Sequence, residues 1–252
     1  MLQLAGLGAA ALAAGGVNAL AGGGTLLTFP ALTAAGVPAL SANITNTVAL
    51  TPGYFGGTLA QRADLEPQRT RATVIAAPAV LGGLAGAGLL LVTGEHLFRQ
   101  LVPWLILVAA VLIAVDPWMK RWVAARLAAS ASHRVHLGAA AVAAFAGSVY
   151  GGFFGAGLGI ILLALYSLVV PESLARVNAL KQLTSFLANI TAAVFLLFSG
   201  RVWWSAVLVM AVCALVGGAL AGRFVRRANP NVLRGTVVVI AVAVAAVYLI
   251  RG

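Results

Sequence analysis

The chain has 252 residues, of which 62% are hydrophobic and 8% charged, against about 25% charged in an ordinary soluble domain. So few charges cannot cover the surface of a soluble protein this long, which excludes a soluble enzyme and points to an all-α, polytopic integral membrane protein. The charge is lopsided, with 16 Lys and Arg against 5 Asp and Glu; the cations fall in short breaks between apolar runs, with no basic patch interleaved with aromatics, so they read as loops facing an anionic cytoplasmic leaflet and not as a nucleic-acid surface.

No charge occurs between Met1 and Gln61. That stretch is too long for one span and must fold back. Breakers divide it at Gly22-Gly23-Gly24, Pro30, Gly36-Val37-Pro38 and Pro52-Gly53, so segments are expected near 2–20, 25–36 and 41–60. Arg62, Arg69 and Arg71 mark a loop. Spans are expected near 72–93 and 98–118, and Lys120, Arg121, Arg126 and Arg134 mark a basic cytoplasmic loop at 119–136. From Leu137 to Pro171 charge is absent again. The run Gly151-Gly152-Phe153-Phe154-Gly155-Ala156-Gly157-Leu158-Gly159 breaks this stretch into segments near 137–153 and 158–170. Spans near 177–199, 203–222 and 233–250 follow, with Arg223, Arg226, Arg227 and Arg234 between the last two.

The order repeats. Each half holds a glycine-broken segment and then three spans. Gly15–Gly24 corresponds to Gly147–Ala156 at an offset of 132, which also sets Asn18 against Tyr150 and Asn46 against Asn178. Leu81-Gly82-Gly83 with Gly86 resembles Val216-Gly217-Gly218 with Gly222. The expectation is an internal duplication, with a first repeat over 1–118 and a second over 137–252.

Charge then constrains topology. If each broken segment crosses once, the arginines at 223–234 fall opposite the other two basic loops. If each is a re-entrant hairpin, every half crosses three times, the second half is inverted, and all three basic loops lie inside. The segment 25–36 favours the hairpin: about 12 residues at about 1.5 Å each cannot cross a core of about 30 Å. Residues 2–20 alone are long enough to span, and keep the eight-span alternative open. Trp104, Trp118, Trp122, Trp203 and Trp204 read as an interfacial aromatic belt.

Polar groups inside apolar spans are costly and mark function or helix packing. Four clusters stand out. Asn18 precedes Gly22-Gly23-Gly24-Thr25, where a helix starting at Thr25 would aim its positive end at an anion; a plain break for close packing is the other reading. Asn43, Asn46 and Thr47 share a helical face, ahead of a break expected at Pro52, and serve either a ligand or a neighbouring helix. Tyr150 precedes the second glycine turn, which contains Gly155 and Gly157, and either donates to a ligand or packs at a helix crossing. Asn178, Lys181, Gln182, Ser185 and Asn189 lie on one face. Lys181 has no nearby carboxylate in sequence; it either partners an anion or snorkels to the interface.

The five acids, Asp64, Glu66, Glu95, Asp116 and Glu172, all fall in or beside expected loops. This argues against a carboxylate relay, a di-metal site or an acid-lined cation channel. Cys213 lies alone in an apolar run, and His96, His133 and His136 pair with no other ligand at metal spacing. No catalytic triad, Walker pattern, metal site or cofactor is expected.

These motifs resemble the TauE/SafE sulfite exporter family. The resemblance is carried by Gly16-Val17-Asn18-Ala19-Leu20-Ala21-Gly22-Gly23-Gly24-Thr25-Leu26-Leu27-Thr28-Phe29-Pro30, by Gly36-Val37-Pro38 leading to Ala42-Asn43-Ile44-Thr45-Asn46-Thr47, by Tyr150 to Gly159, and by Arg176-Val177-Asn178-Ala179-Leu180-Lys181. Gln182 follows Lys181 where the family commonly has Asn. The resemblance implies a multi-pass bacterial inner-membrane transporter of small sulfur-containing anions. The expected substrate-binding set is Asn18, Gly23, Gly24, Thr25, Asn43, Asn46, Thr47, Tyr150, Gly155, Gly157, Asn178, Lys181 and Gln182. Expected partners are a small anion such as sulfite or sulfoacetate and membrane lipid, and a homo-oligomer is compatible with the sequence. A passive anion channel and a non-transporting membrane subunit are the rival readings.

Overall fold

Apolar runs of this length, cut by glycine and proline, leave helices as the way to satisfy the backbone inside a bilayer. The computed structural model describes residues 2–21, 23–129, 137–224 and 230–251, and among them all regular structure is helical. In chain order these are α1 (Leu2–Ala21), α2 (Thr25–Ala34), α3 (Ala39–Ala60), the short α4 (Arg62–Leu65) with a 3-10 turn at Glu66–Gln68, α5 (Arg69–Ala129), α6 (Leu137–Phe153), α7 (Leu158–Val169), α8 (Leu174–Leu197), α9 (Trp204–Phe224) and α10 (Pro230–Arg251). Gly22, His133, Arg134, His136, Arg226 and Arg227 lie outside the described residues, as do the side chains of Arg223 and Arg234.

Several boundaries differ from expectation. The gap expected between 93 and 98 is a single residue: Gly94, at φ 68° and ψ 175°, folds α5 into two rods, 69–93 and 95–129. The positive φ is open to glycine without the Cβ penalty other residues meet. The loop expected from 119 is helical through Ala129. Pro52 does not end its helix; α3 runs unbroken from Ala39 to Ala60, and Thr47 and Thr51 donate to the carbonyls of Asn43 and Thr47 one turn back. Proline removes one N–H bond, here the one to the Val48 carbonyl, which a membrane helix packed among neighbours tolerates. Asp116 is not beside a loop but buried within α5, 2.9 Å from Lys120.

The repeated glycines explain the packing. A Cβ on Gly15 would run into the Ala214 carbonyl and lie 2.9 Å from Gly218 N, and one on Gly217 would strike the Leu12 carbonyl. Gly8 faces Val209 and Cys213, so α1 and α9 run parallel with their backbones in contact. In the other pair, Gly82 faces Phe145 and Ser148, and Gly86 faces Val149, Gly152 and Phe153, so the first rod of α5 runs parallel to α6. Each glycine-rich helix thus lies against the broken segment of the opposite half. Such small-residue contacts drive association where lipid removes the hydrophobic gain. Cys213 serves as packing, half-buried against Gly8.

Two polar clusters mark the ends of the molecule. At one, Glu172 accepts from Arg71 and, at 2.8 Å, from Arg176, while Gln68 Nε2 donates to the Arg176 carbonyl at 2.9 Å. At the other, Glu95 Oε2 accepts from the Leu40 N–H at 3.0 Å, closing the start of α3 against the Gly94 bend. The acids are therefore matched to helix ends and cations. Burial pushes the Glu172 carboxyl up, but the hydrogen bonds and charges of Arg71 and Arg176 outweigh it and hold the group below the usual carboxylate range.

A valine at Gly86 or Gly217 is expected to cost about 1–3 kcal/mol by overpacking and to reduce the yield of monodisperse protein on size exclusion, whereas alanine at Gly88, which has open space around it, leaves the profile unchanged. For Glu172 the sign is that of a depressed acid: its stabilisation is complete above the unfolded value of about 4.3 and is lost as pH falls through the lower folded value. Between pH 6 and pH 3 the melting temperature is expected to fall more in the wild type than in Glu172→Gln.

Candidate functional site

Inside an apolar environment, a helix break frees N–H and C=O groups that must find partners. Both glycine breaks are met by side chains from the sequence-derived set. Asn18 Oδ1 accepts from the Gly24 N–H at 3.2 Å. Tyr150, at the matching position, donates its hydroxyl to the Ala156 carbonyl. In both halves the brace spans six residues, and the offset of 132 relates both ends of it. Thr28 Oγ1 reaches the Gly24 carbonyl at 3.1 Å and Asn46 Oδ1, and Asn46 Nδ2 reaches Thr25 Oγ1 at 3.3 Å, so α2 and α3 are tied together. Asn43 Nδ2 donates at 2.9 Å to the Phe153 carbonyl at the second break, and leaves its buried Oδ1 without a partner.

The two breaks face one another across α3 and the second rod of α5. Phe29 meets Phe154 edge to face at 5.7 Å, and Phe98 meets Phe153 at 5.8 Å. Ile113 packs against Gly23, while Leu112 and Ala109 pack against Gly157. The turns are not copies in detail: Gly24 is right-handed (φ −55°), whereas Gly155 and Gly157 both take φ 77°. At those two positions a side chain would be strained, and at Gly157 it would also press on Leu112 at 3.1 Å.

The face of α8 expected to carry Asn178, Lys181 and Gln182 divides. Asn178 Nδ2 donates to Gln61 Oε1 at 2.6 Å, and Gln182 Nε2 donates to the Tyr54 carbonyl at 3.4 Å, so these two side chains tie α8 to α3. Lys181 turns the other way. Its Cδ, Nζ and Cε lie 3.7–3.8 Å from where a Cβ on Gly159 would be, over the first turn of α7. Among the described residues it makes no hydrogen bond and no ion pair, and the Asp116–Lys120 pair lies within its electrostatic reach. Asp116 is thus the nearby carboxylate that sequence spacing did not reveal.

The first turn of α7 is also uncapped: Gly157 occupies the cap position and no side chain accepts there. By contrast Ser173 Oγ caps α8, accepting from the Arg176 N–H at 3.4 Å. A helix start carries partial positive charge and ordinarily attracts an acid or a capping oxygen. An ammonium in that place raises the local positive potential further and suits a small anion. Tyr54 was absent from the expected set. Its hydroxyl lies near Asn18 and Tyr150. It sits seven residues after Thr47 and eleven after Asn43, both close to whole numbers of helical turns, so it shares their face. Thr28, one turn after Thr25, was likewise missed.

Residues 7–248 match the family described as sulfite exporter TauE/SafE. The chain is 26% identical over 242 residues to "Probable membrane transporter protein YfcA" of Escherichia coli (strain K12), covering 94% of this chain and 86% of that protein. It is 27% identical over 254 residues to "Probable membrane transporter protein ORF9" of Sinorhizobium sp, covering 96% and 90%. A "Probable membrane transporter protein" of Haemophilus influenzae is 27% identical over 231 residues, covering 88% and 85%. No solved structure matches. The family match takes in both glycine breaks, their bracing residues and Lys181, and the chain belongs to the TauE/SafE sulfite exporter family of membrane transporters.

Proposed function

We propose that this transporter carries small sulfur-containing anions, such as sulfite or organosulfonates, across the bacterial inner membrane by alternating access. One observation carries the anion reading: the Lys181 ammonium, without a bonded acceptor among the described residues, lies over the uncapped first turn of α7. Two positive groups converge there, beside the buried Asp116–Lys120 pair, and an oxyanion accepting from both offsets their repulsion. Gly159, having no side chain, lets the Lys181 side chain lie against this helix start. Gly155 and Gly157 shape the turn, and Asn18, Gly23, Gly24, Thr25, Asn43, Asn46, Thr47 and Tyr150 hold the opposing break and α3 in register around it. Asn178 and Gln182 anchor α8, which delivers Lys181. Neutral amides and hydroxyls suit a passenger that must leave as readily as it enters.

The two halves act as inverted repeats, each with a re-entrant hairpin. The parallel pairing of α1 with α9, and of the first rod of α5 with α6, supports this reading, because each pair joins one half's hairpin to the other half's second span. At ten and twelve residues, α2 and α7 are also too short to cross. The glycine-lined contacts between halves are the surfaces that slide when the halves rock.

In proteoliposomes, labelled sulfite is expected to enter faster when unlabelled sulfite is trapped inside, as a carrier requires; single-channel currents would contradict that mechanism. Lys181→Met is expected to weaken sulfite binding about 10–100-fold, matching the about 1.5–3 kcal/mol of a charge-assisted hydrogen bond. Its melting temperature is expected to equal or exceed wild type, since an unpartnered ammonium in apolar surroundings costs stability. Unaltered binding in Lys181→Met contradicts the site. For the hairpins, cysteines at the exposed positions Gly138 and Leu174 are both expected to label from the cytoplasmic side; labelling from opposite sides means that the α6–α7 pair crosses.

A further inference from the structure

A cavity lies away from Lys181. It encloses about 720 Å³ between the end of α2, the bend at Gly36-Val37-Pro38, the Gly94 bend and the last turns of α10. Pro30, Ala34, Val37, Ala243, Val244 and Val247 make most of its wall apolar. Its polar groups are nearly all committed. Thr33 Oγ1 donates to the Pro30 carbonyl at 3.0 Å and Glu95 takes the Leu40 N–H, while the Tyr248 hydroxyl lies near Thr33. The exception is Arg99, which is exposed and makes no hydrogen bond or ion pair among the described residues.

We propose that this cleft binds an anionic phospholipid, with an acyl chain between α2 and α10 and the phosphate on Arg99. The cleft is far larger than sulfite needs. A water takes about 30 Å³ of liquid, so an oxyanion of four heavy atoms held on Arg99 would leave most of the cleft and its apolar wall empty. The volume suits a large, mainly apolar ligand with one polar anchor. Position selects lipid among such ligands. The cleft is bounded by α10, whose neighbouring outward residues Val239, Val242, Leu249 and Ile250 are exposed large aliphatics in a membrane protein and face acyl chains already. Arg99 lies five residues past the Gly94 bend, at the end of the molecule where spans turn and headgroups begin. A guanidinium binds phosphate through paired N–H groups. The chain would occupy the space between a short broken helix and α10, where protein side chains leave a gap.

The test compares melting temperatures of the purified full chain in detergent with added dioleoyl phosphatidylglycerol, dioleoyl phosphatidylcholine or glycerol phosphate. Phosphatidylglycerol is expected to raise the wild-type melting temperature by several degrees more than phosphatidylcholine, and glycerol phosphate is expected to do nothing. Arg99→Gln should abolish the difference between the two lipids. Val244→Trp, which fills the cleft, should remove most of the shift from either, and native mass spectrometry should find fewer phosphatidylglycerol molecules retained on it than on wild type. Equal shifts for the two lipids in the wild type, or an undiminished phosphatidylglycerol shift in Arg99→Gln, would overturn the proposal. A full shift from glycerol phosphate would reduce the site to a headgroup contact and overturn it too. Efficient disulfide cross-linking of two Val247→Cys copies in liposomes would assign the face to a second copy of this chain and reject lipid.

Discussion

A helix that breaks inside a membrane must find new partners for the backbone groups it frees, and the rest of this structure follows from how two such breaks are met. Water is not available to do it, and each orphaned group costs several kcal/mol. Here Asn18 takes the Gly24 N–H, Asn43 the Phe153 carbonyl and Tyr150 the Ala156 carbonyl. Two of these braces join residues of the same half. The third, from Asn43, reaches from the first half to the second and fixes α3 beside the second break.

This changes what the polar residues of the spans are for. Read from sequence, Asn18, Asn43, Asn46 and Tyr150 are either ligand donors or groups that serve helix packing. Much of their capacity is spent on the protein itself, on breaks and on the α2–α3 contact. Among the groups that remain uncommitted are the Lys181 ammonium, the starts of α2 and α7, which no side chain caps, and the buried Asn43 Oδ1, Gln68 Oε1 and Ser148 Oγ. Lys181 and the start of α7 are positive and adjacent, an arrangement that favours a bound anion even with the Asp116–Lys120 pair nearby. The bracing residues and the proposed anion site are thus different subsets of one motif.

The sequence carried more of the fold than of the site. Each broken segment and each following span was legible because glycine and proline interrupt uniformly apolar runs, and because the same order recurs 132 residues later. The Gly94 bend was blurred into a loop because one residue with positive φ has no compositional signature beyond being glycine. The helix to Ala129 was hidden by its charges, which read as loop although helices carry them equally well at an interface. Pro52 misled for a similar reason: it removes a single N–H from the ladder, and α3 continues on either side of it. At the site, spacing put Asn178, Lys181 and Gln182 on one face, but a helical face is wide enough to serve two neighbours, and α3 and α7 share it. Asp116 was masked by tertiary folding, since it is 65 residues from Lys181 in the chain. Tyr54 was legible in principle through its register with Asn43 and Thr47.

The central claim is that a small oxyanion sits between the Lys181 ammonium and the first turn of α7. Selenite, the selenium counterpart of sulfite, makes this directly visible by anomalous X-ray scattering from crystals grown with it. The account predicts a selenium peak within hydrogen-bond reach of Lys181 Nζ, beside Gly159. A peak elsewhere in the protein, with the space beside Gly159 empty, would contradict it.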